Sequence, residues 1–354
     1  MGTYETGKTE QRLILPPDTN LHRRYTVGRF LSADSCCTVY AGFDYKARQA
    51  VRILEYFPET YSTRTYDSPA VSPKSKGYGQ LFFLGSEAFL AQYSALTGAI
   101  GSPNLLSVFD AFFENGTAYA VTEELDGLSL REYQQVQQRN LTNGELSAIL
   151  RQLADGLLVL HSLSVLHDAI SPDSVWLCID GTVKLAEFGA AKKVLSSRRA
   201  LGDEDPRTDI RALGETLLGA YAGASAMSLL PDGGSSIPPV LKGILDGMLS
   251  EHPAMQFQSI FDLRHAVSQL DIPPARLSVT VDMVDGYRRE RQQAKASLRS
   301  ETSQREEQLH SEEAYEKPSA TKKDRLHPNW KILIAYGLLI LFALILGIIL
   351  KNVL

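Results

Sequence analysis

The chain has 354 residues, 44% hydrophobic and 22% charged, enough apolar material for a two-lobed domain or two domains. A formal net charge of −5 gives no general argument for nucleic-acid binding. Three cysteines, Cys36, Cys37 and Cys178, make neither a disulfide framework nor a metal-ligand spacing, and the amino terminus M-G-T-Y-E-T-G-K lacks the apolar run of a secretory signal.

Residues 1–22 are polar, with Pro16-Pro17, and read as an arm. From Arg24, R-Y-T-V-G-R-F-L alternates, S-A-D-S-C-C turns, and T-V-Y-A-G-F-D alternates again, which predicts a hairpin. A-V-R-I-L-E-Y-F-P at 50–58 is a further strand, and Glu59 to Gly79 is a long loop rich in Pro, Ser and Tyr. Q-L-F-F-L-G-S-E-A-F-L-A-Q-Y-S-A-L has helical periodicity, and Asn115-Gly116 between two apolar runs predicts another hairpin. After Asp126-Gly127 the pattern turns helical, with Thr142 and Glu145 spaced as a capping box.

Val165 to Lys192 reads V-L-H-D-A-I-S-P-D-S-V-W-L, a turn at Asp180-Gly181, then V-K-L-A-E-F-G-A-A-K. This spacing resembles the catalytic centre of the eukaryotic-type protein kinases, in which H-R-D-x-K-P-x-N precedes a hairpin and D-F-G. His167, Ile170, Pro172, Asp173, Phe188 and Gly189 stand where that motif expects them, and P-R-T-D-I-R-A-L-G resembles a later family helix with Asp209 as its buried aspartate. A-V-R-I-L-E-Y-F-P is similar to V-A-I-K-E-Y-F-P, the third strand of a bacterial subgroup. The resemblance covers residues 24 to 272 and implies an α+β, two-lobed kinase-like fold. The implied divisions are a sheet-based N-lobe with one helix (23–125), a mainly helical C-lobe (126–272), a charged linker (273–330) and one transmembrane helix (331–351).

Residue by residue, the resemblance puts Leu54 on the phosphate-pairing lysine, Ala169 on the catalytic aspartate, Ser171 on the loop lysine, Ser174 on the magnesium asparagine and Glu187 on the D-F-G aspartate. Ser32, Asp34 and Cys37 replace the three glycines of the phosphate loop, ahead of Val39. A methyl group cannot accept a proton, and a serine is a weak neutral ligand for a hard cation. Asp168 lies one residue early and is a poor substitute for the lost aspartate.

The remnant of the nucleotide pocket comprises those loop positions with Arg52, Glu87, Thr122, Glu123, Leu125 and Trp176. Glu87 either pairs with Arg52 or is a solvated surface glutamate. Arg52 and Trp176 either stack across the adenine slot as a cation–π pair or turn outward.

On this reading the chain is not an enzyme but a pseudokinase, a kinase-like scaffolding module that works through protein partners. It carries no cofactor, no metal and no ATP, and binds no nucleic acid. The alternative is an atypical active Ser/Thr kinase using ATP, with Glu187 as metal ligand. Ile332 to Leu350, nineteen uncharged residues spanning about 28 Å as a helix, reads as a membrane anchor. Lys317, Lys322, Lys323, Arg325 and Lys331 before it, against Lys351 after it, imply that the domain faces the cytoplasm. The linker reads as disordered or as a solvated single helix.

Overall fold

In the computed structural model, which describes residues 13–197, 205–223 and 237–293, the amino-terminal half is built on strands. These are β1 (Asn20–Leu21), β2 (Tyr25–Ala33), β3 (Cys37–Asp44), β4 (Gln49–Tyr56), the short pair β5 (Ser62–Arg64) and β6 (Val71–Pro73), then β7 (Val108–Glu114) and β8 (Thr117–Thr122). Helix α1 (Gly79–Leu96) lies between β6 and β7 in the chain. The main sheet is antiparallel in the order β1-β2-β3-β4-β8-β7. Alternation along β4 sets the layers, because successive side chains leave a strand on opposite faces. Val51 and Ile53 join an outer cluster with Leu15, Leu21, Tyr25, Tyr40 and Tyr119. Leu54 and Tyr56 face the main core with Phe82, Phe89 and Tyr93 of α1.

A buried ion pair ties the long loop after β4 to the sheet, beside the β5–β6 pairing. Arg64 of β5 reaches the Glu55 carboxylate, and both side chains are buried. Glu55 also accepts from the Tyr40 hydroxyl at 3.1 Å and the Tyr119 hydroxyl at 2.9 Å. At the β7–β8 turn Asn115 and Gly116 both have positive φ, 52° and 77°, as the sequence dipeptide implies. A side chain on Gly116 would lie 2.6 Å from the Val71 carbonyl, so the turn can close over β6 only with glycine.

The second half comprises β9 (Gly127–Ser129), α2 (Leu130–Gln137), α3 (Asn143–Ser162), β10 (Val175–Cys178), β11 (Val183–Leu185), α4 (Ala190–Ser197), α5 (Arg207–Ala222), α6 (Pro239–Leu249), α7 (Ile260–Ser268) and a helix α8 at 281–293. The expected Thr142–Glu145 capping box starts α3. Its Leu146, Ile149, Leu150, Leu153, Leu157 and Leu160 recur at three and four and are fully buried, which makes α3 the axis of this half. Strands β11, β10 and β9 form a small sheet in that order.

Leu277, Val279 and Val284, at the head of the stretch read as linker, are buried among these helices. From α8, Tyr287 donates to Gln135, Arg291 pairs with Glu132 at 3.1 Å, and Arg288 lies 3.5 Å from the Leu125 carbonyl. Residues through Arg291 form one unit, and those from Gln292 a second. The expected membrane span and the rest of the linker lie outside the described residues. Among the described residues no helix is long and apolar enough to cross a membrane.

Candidate functional site

The loop from Leu166 to Ser174 is held by one buried carboxylate. Asp209, on α5, accepts from the backbone N–H of His167 at 2.7 Å and of Asp168 at 3.0 Å, and its Oδ2 is 3.0 Å from His161 Nε2. Burial favours the neutral acid, yet these donors, His161 foremost, hold Asp209 below the usual carboxylate range. Burial also depresses the imidazole of His167 to about 4. The neutral ring accepts from the Ala169 N–H at Nδ1 and lies 2.9 Å from the Ala186 carbonyl at Nε2, so Nε2 carries the proton. The His167 and Phe188 rings are 4.7 Å apart, and Phe188 meets Tyr93 of α1 edge-on at 5.9 Å. A side chain on Gly189 would be 2.5 Å from Ala169 Cβ and 2.7 Å from the Asp168 carbonyl. Two loops far apart in sequence therefore close at a glycine.

The loop's own polar groups serve its shape. Ser174 Oγ accepts from the Ser171 N–H at 2.9 Å and donates to the Ser171 carbonyl at 3.0 Å. Asp168, at φ 61°, accepts from Lys193 at 2.7 Å, and the Ala169 side chain is only a methyl.

Above the loop, Leu54 is buried in the core shared with Phe89, and Val39 is buried beside it. Glu87 is exposed, which answers the alternatives left open for it: it is a surface glutamate and Arg52 is not its partner. Phe89, two residues or about 200° of helix rotation further on, is the side chain that α1 buries instead.

Arg52 faces the opposite wall of the slot. Its guanidinium carbon lies 5.4 Å from the centroid of the Trp176 ring, the stacked one of the two arrangements left open by the sequence. Arg52 Nε and Trp176 Nε1 are both buried without a hydrogen-bond partner. Burial lowers the basicity of Arg52, against the opposing charges of Glu187 and Glu124. Arg52 is in register with Thr122 of β8, whose hydroxyl donates to the Glu123 carbonyl at 3.1 Å. Glu123 in turn accepts from the Ser107 N–H and from Lys184 at 2.6 Å, which fixes the crossing between the halves. The carbonyl of buried Leu125 faces Arg288.

Glu187 has a φ of 59°, a strained value for a side chain without a local reason. Burial pushes its carboxyl upward, opposed mainly by Lys192. Lys192, in the first turn of α4, pairs with Asp34 at 2.6 Å. Burial opposes both charges, but the Asp34 carboxylate keeps Lys192 above its ordinary basicity, and Lys192 with the N–H groups of Cys36 and Cys37 holds Asp34 below the ordinary carboxylate range. The structure thus brings the Asp34–Lys192 and Arg52–Trp176 pairs within electrostatic reach of Glu187, and Ser32 and Cys37 are half-buried in β2 and β3. Lys192 escaped the sequence reading, although a lysine pair directly after E-F-G-A-A was a visible signal. Among the described residues no cluster of three or more His, Cys, Asp or Glu side chains is arranged to hold a metal ion.

The protein kinase domain family model matches residues 90–205. Serine/threonine-protein kinase PknL of Mycobacterium tuberculosis is 25% identical over 255 residues, 64% of this chain and 58% of its own length. The chain thus spans little more than half of that relative. Serine/threonine-protein kinase PLK4 of Drosophila grimshawi is 39% identical over 93 residues, 26% of this chain and 12% of that protein. The solved structure of PpkA-294 in its apo form superimposes with a TM-score of 0.61 at 22% identity, over 72% of this chain and 99% of that one. The chain carries a protein-kinase-like domain with a sheet N-lobe and a helical C-lobe.

These relatives overturn the expectation that the chain is not an enzyme: the proteins it resembles are serine/threonine-protein kinases, which are enzymes. At the fixed motif positions the chain carries Leu54, Ala169, Ser171 and Ser174, none of them charged. A cation supplied from α4 to the same cleft has no such position.

Proposed function

We propose that the chain is an atypical serine/threonine protein kinase that transfers a phosphoryl group from ATP to a protein hydroxyl. The observation that supports it best is Glu187, a half-buried carboxylate in a strained backbone position, in the electrostatic field of Lys192. Magnesium is commonly held by one or two carboxylates plus substrate phosphates while keeping several waters, and a single half-buried glutamate fits that donor set. Glu187 would hold the ion, and the ion would neutralise charge on the transferring phosphate. Ser174 is committed to the loop and gives the metal no free hydroxyl geometry.

Each protein group then has a distinct task. Asp209 and His167 fix the loop beneath the reacting hydroxyl. Asp168, which accepts from Lys193 at 2.7 Å, would have to leave that pair to take the hydroxyl proton. The adenine must share a slot in which Arg52 rests on Trp176, so the guanidinium swings aside as the base enters. We also propose that residues 332–350 anchor the domain at the cytoplasmic face of a membrane, on their uninterrupted apolar character and the lysines and arginine before them.

The test is transfer of labelled phosphate from ATP, with magnesium or manganese, to Ser/Thr peptide pools by the purified chain. Transfer that disappears in Glu187→Gln and weakens in Asp168→Asn is the expected result. No transfer above blank, or transfer indifferent to Glu187→Gln, refutes the proposal.

A further inference from the structure

The turn between β2 and β3 carries a converging set of donors. The N–H groups of Cys36 and Cys37 point at Asp34 Oδ1 at 2.8 and 2.7 Å. The ammonium of Lys192, from the other side of the cleft, meets Asp34 Oδ2 at 2.6 Å. Two backbone donors and one ammonium around a single carboxylate make an anion cradle, in which Asp34 is an anion supplied by the chain itself. The same cleft holds two further buried donors without partners, Arg52 Nε and Trp176 Nε1. The field of Glu187, with its upward-shifted carboxyl, ties the two groups of residues together.

We infer that this cradle is a phosphate site, that Lys192 is the phosphate-binding cation of the cleft, and that the Asp34 carboxylate holds the place which an incoming phosphate takes. The inference rests on the reading of the cleft as a nucleotide site and adds the residue that grips the phosphates. The position is chemically sensible because Leu54, on the strand above, is apolar and buried and gives a phosphate nothing. An anion arriving at the cradle exchanges one carboxylate for phosphate oxygens without leaving Lys192 or the two N–H groups unpaired. Asp34 also sets a threshold: a weakly charged ligand cannot displace it, whereas a polyphosphate presents several oxygens at once.

The probe is inorganic tripolyphosphate, which has no base and so does not depend on the Arg52–Trp176 slot. Binding to the full chain is measured by calorimetry for the unmodified protein, Asp34→Asn, Asp34→Ser, and Lys192→Met and Lys192→Arg in the Asp34→Asn background. Asp34→Asn should tighten tripolyphosphate binding tenfold or more, Lys192→Met should cancel that gain, and Lys192→Arg should keep most of it. Thermal unfolding checks each variant, and Asp34→Ser replaces Asp34→Asn if the latter fails to fold.

Affinity unchanged within twofold in both Asp34 variants, or a gain that survives Lys192→Met, overturns the inference. If tripolyphosphate behaves as stated but no phosphoryl transfer from ATP is seen, the cradle stands and the kinase reading falls. If transfer occurs and Lys192→Met leaves it intact, the reverse holds.

Discussion

Replacing Arg52 with alanine tests how the base slot works. In the closed slot the guanidinium lies on the face of Trp176 at 5.4 Å in the field of Glu187 and Glu124, and its Nε has no hydrogen-bond partner. A cation–π contact of this kind contributes about 0.5 to 2 kcal/mol. A base that enters must give up that contact, so its loss from the apo state should tighten ATP binding by roughly 2- to 30-fold. Stability should change little: a buried donor left unpaired costs about 1–3 kcal/mol, and removing it offsets the lost π contact. The assay is titration of the full chain with magnesium ATP, with Arg52→Lys as a control that keeps the charge. ATP affinity that is unchanged or weaker in a folded Arg52→Ala protein would refute the gate, and would mean that Arg52 binds the nucleotide and does not exclude it.

Three further outcomes follow from the geometry. The His167 imidazole is depressed from 6.5 to about 4, so the unfolded chain binds the extra proton first, and stability present above pH 6.5 is lost as pH falls toward 4, by roughly 3 kcal/mol. Urea midpoints over that range should fall less steeply in His167→Gln, and identical slopes would refute the assignment. Arg64→Met strands the buried Glu55 carboxylate and should cost about 3–5 kcal/mol, much of it recovered when Glu55 is also changed to Met; urea unfolding of both variants measures this, and a double variant no better than the single one would contradict it. For the proposed anchor, protease added outside intact cells should leave the kinase-like domain uncut, and its cleavage there would reverse the proposed orientation.

Local patterns in the chain were enough for much of the architecture. Alternation along 50–56, the Thr142–Glu145 capping box and the Asn115-Gly116 turn specify their elements because each rests on neighbours within a few residues. The H-D-A-I-S-P-D-S frame and its later E-F-G identified the loop pair and set Arg52 and Trp176 on facing strand positions, while whether they stack was decided by the fold. Other features depended on which surfaces met. Glu87 carried the expected residue type, but rotation of α1 exposed it and turned Phe89 inward, a choice made by packing against Tyr56 of β4. The start of the charged stretch buries Val279 and Val284 because the helices beneath offer an apolar surface, which the stretch's own composition does not reveal. The salt bridge from Lys192 to Asp34 joins a turn of one lobe to a helix of the other. Neither residue sits in a periodic pattern, and only the closing of the two halves brings their opposite charges together in a cleft where burial makes the pairing matter.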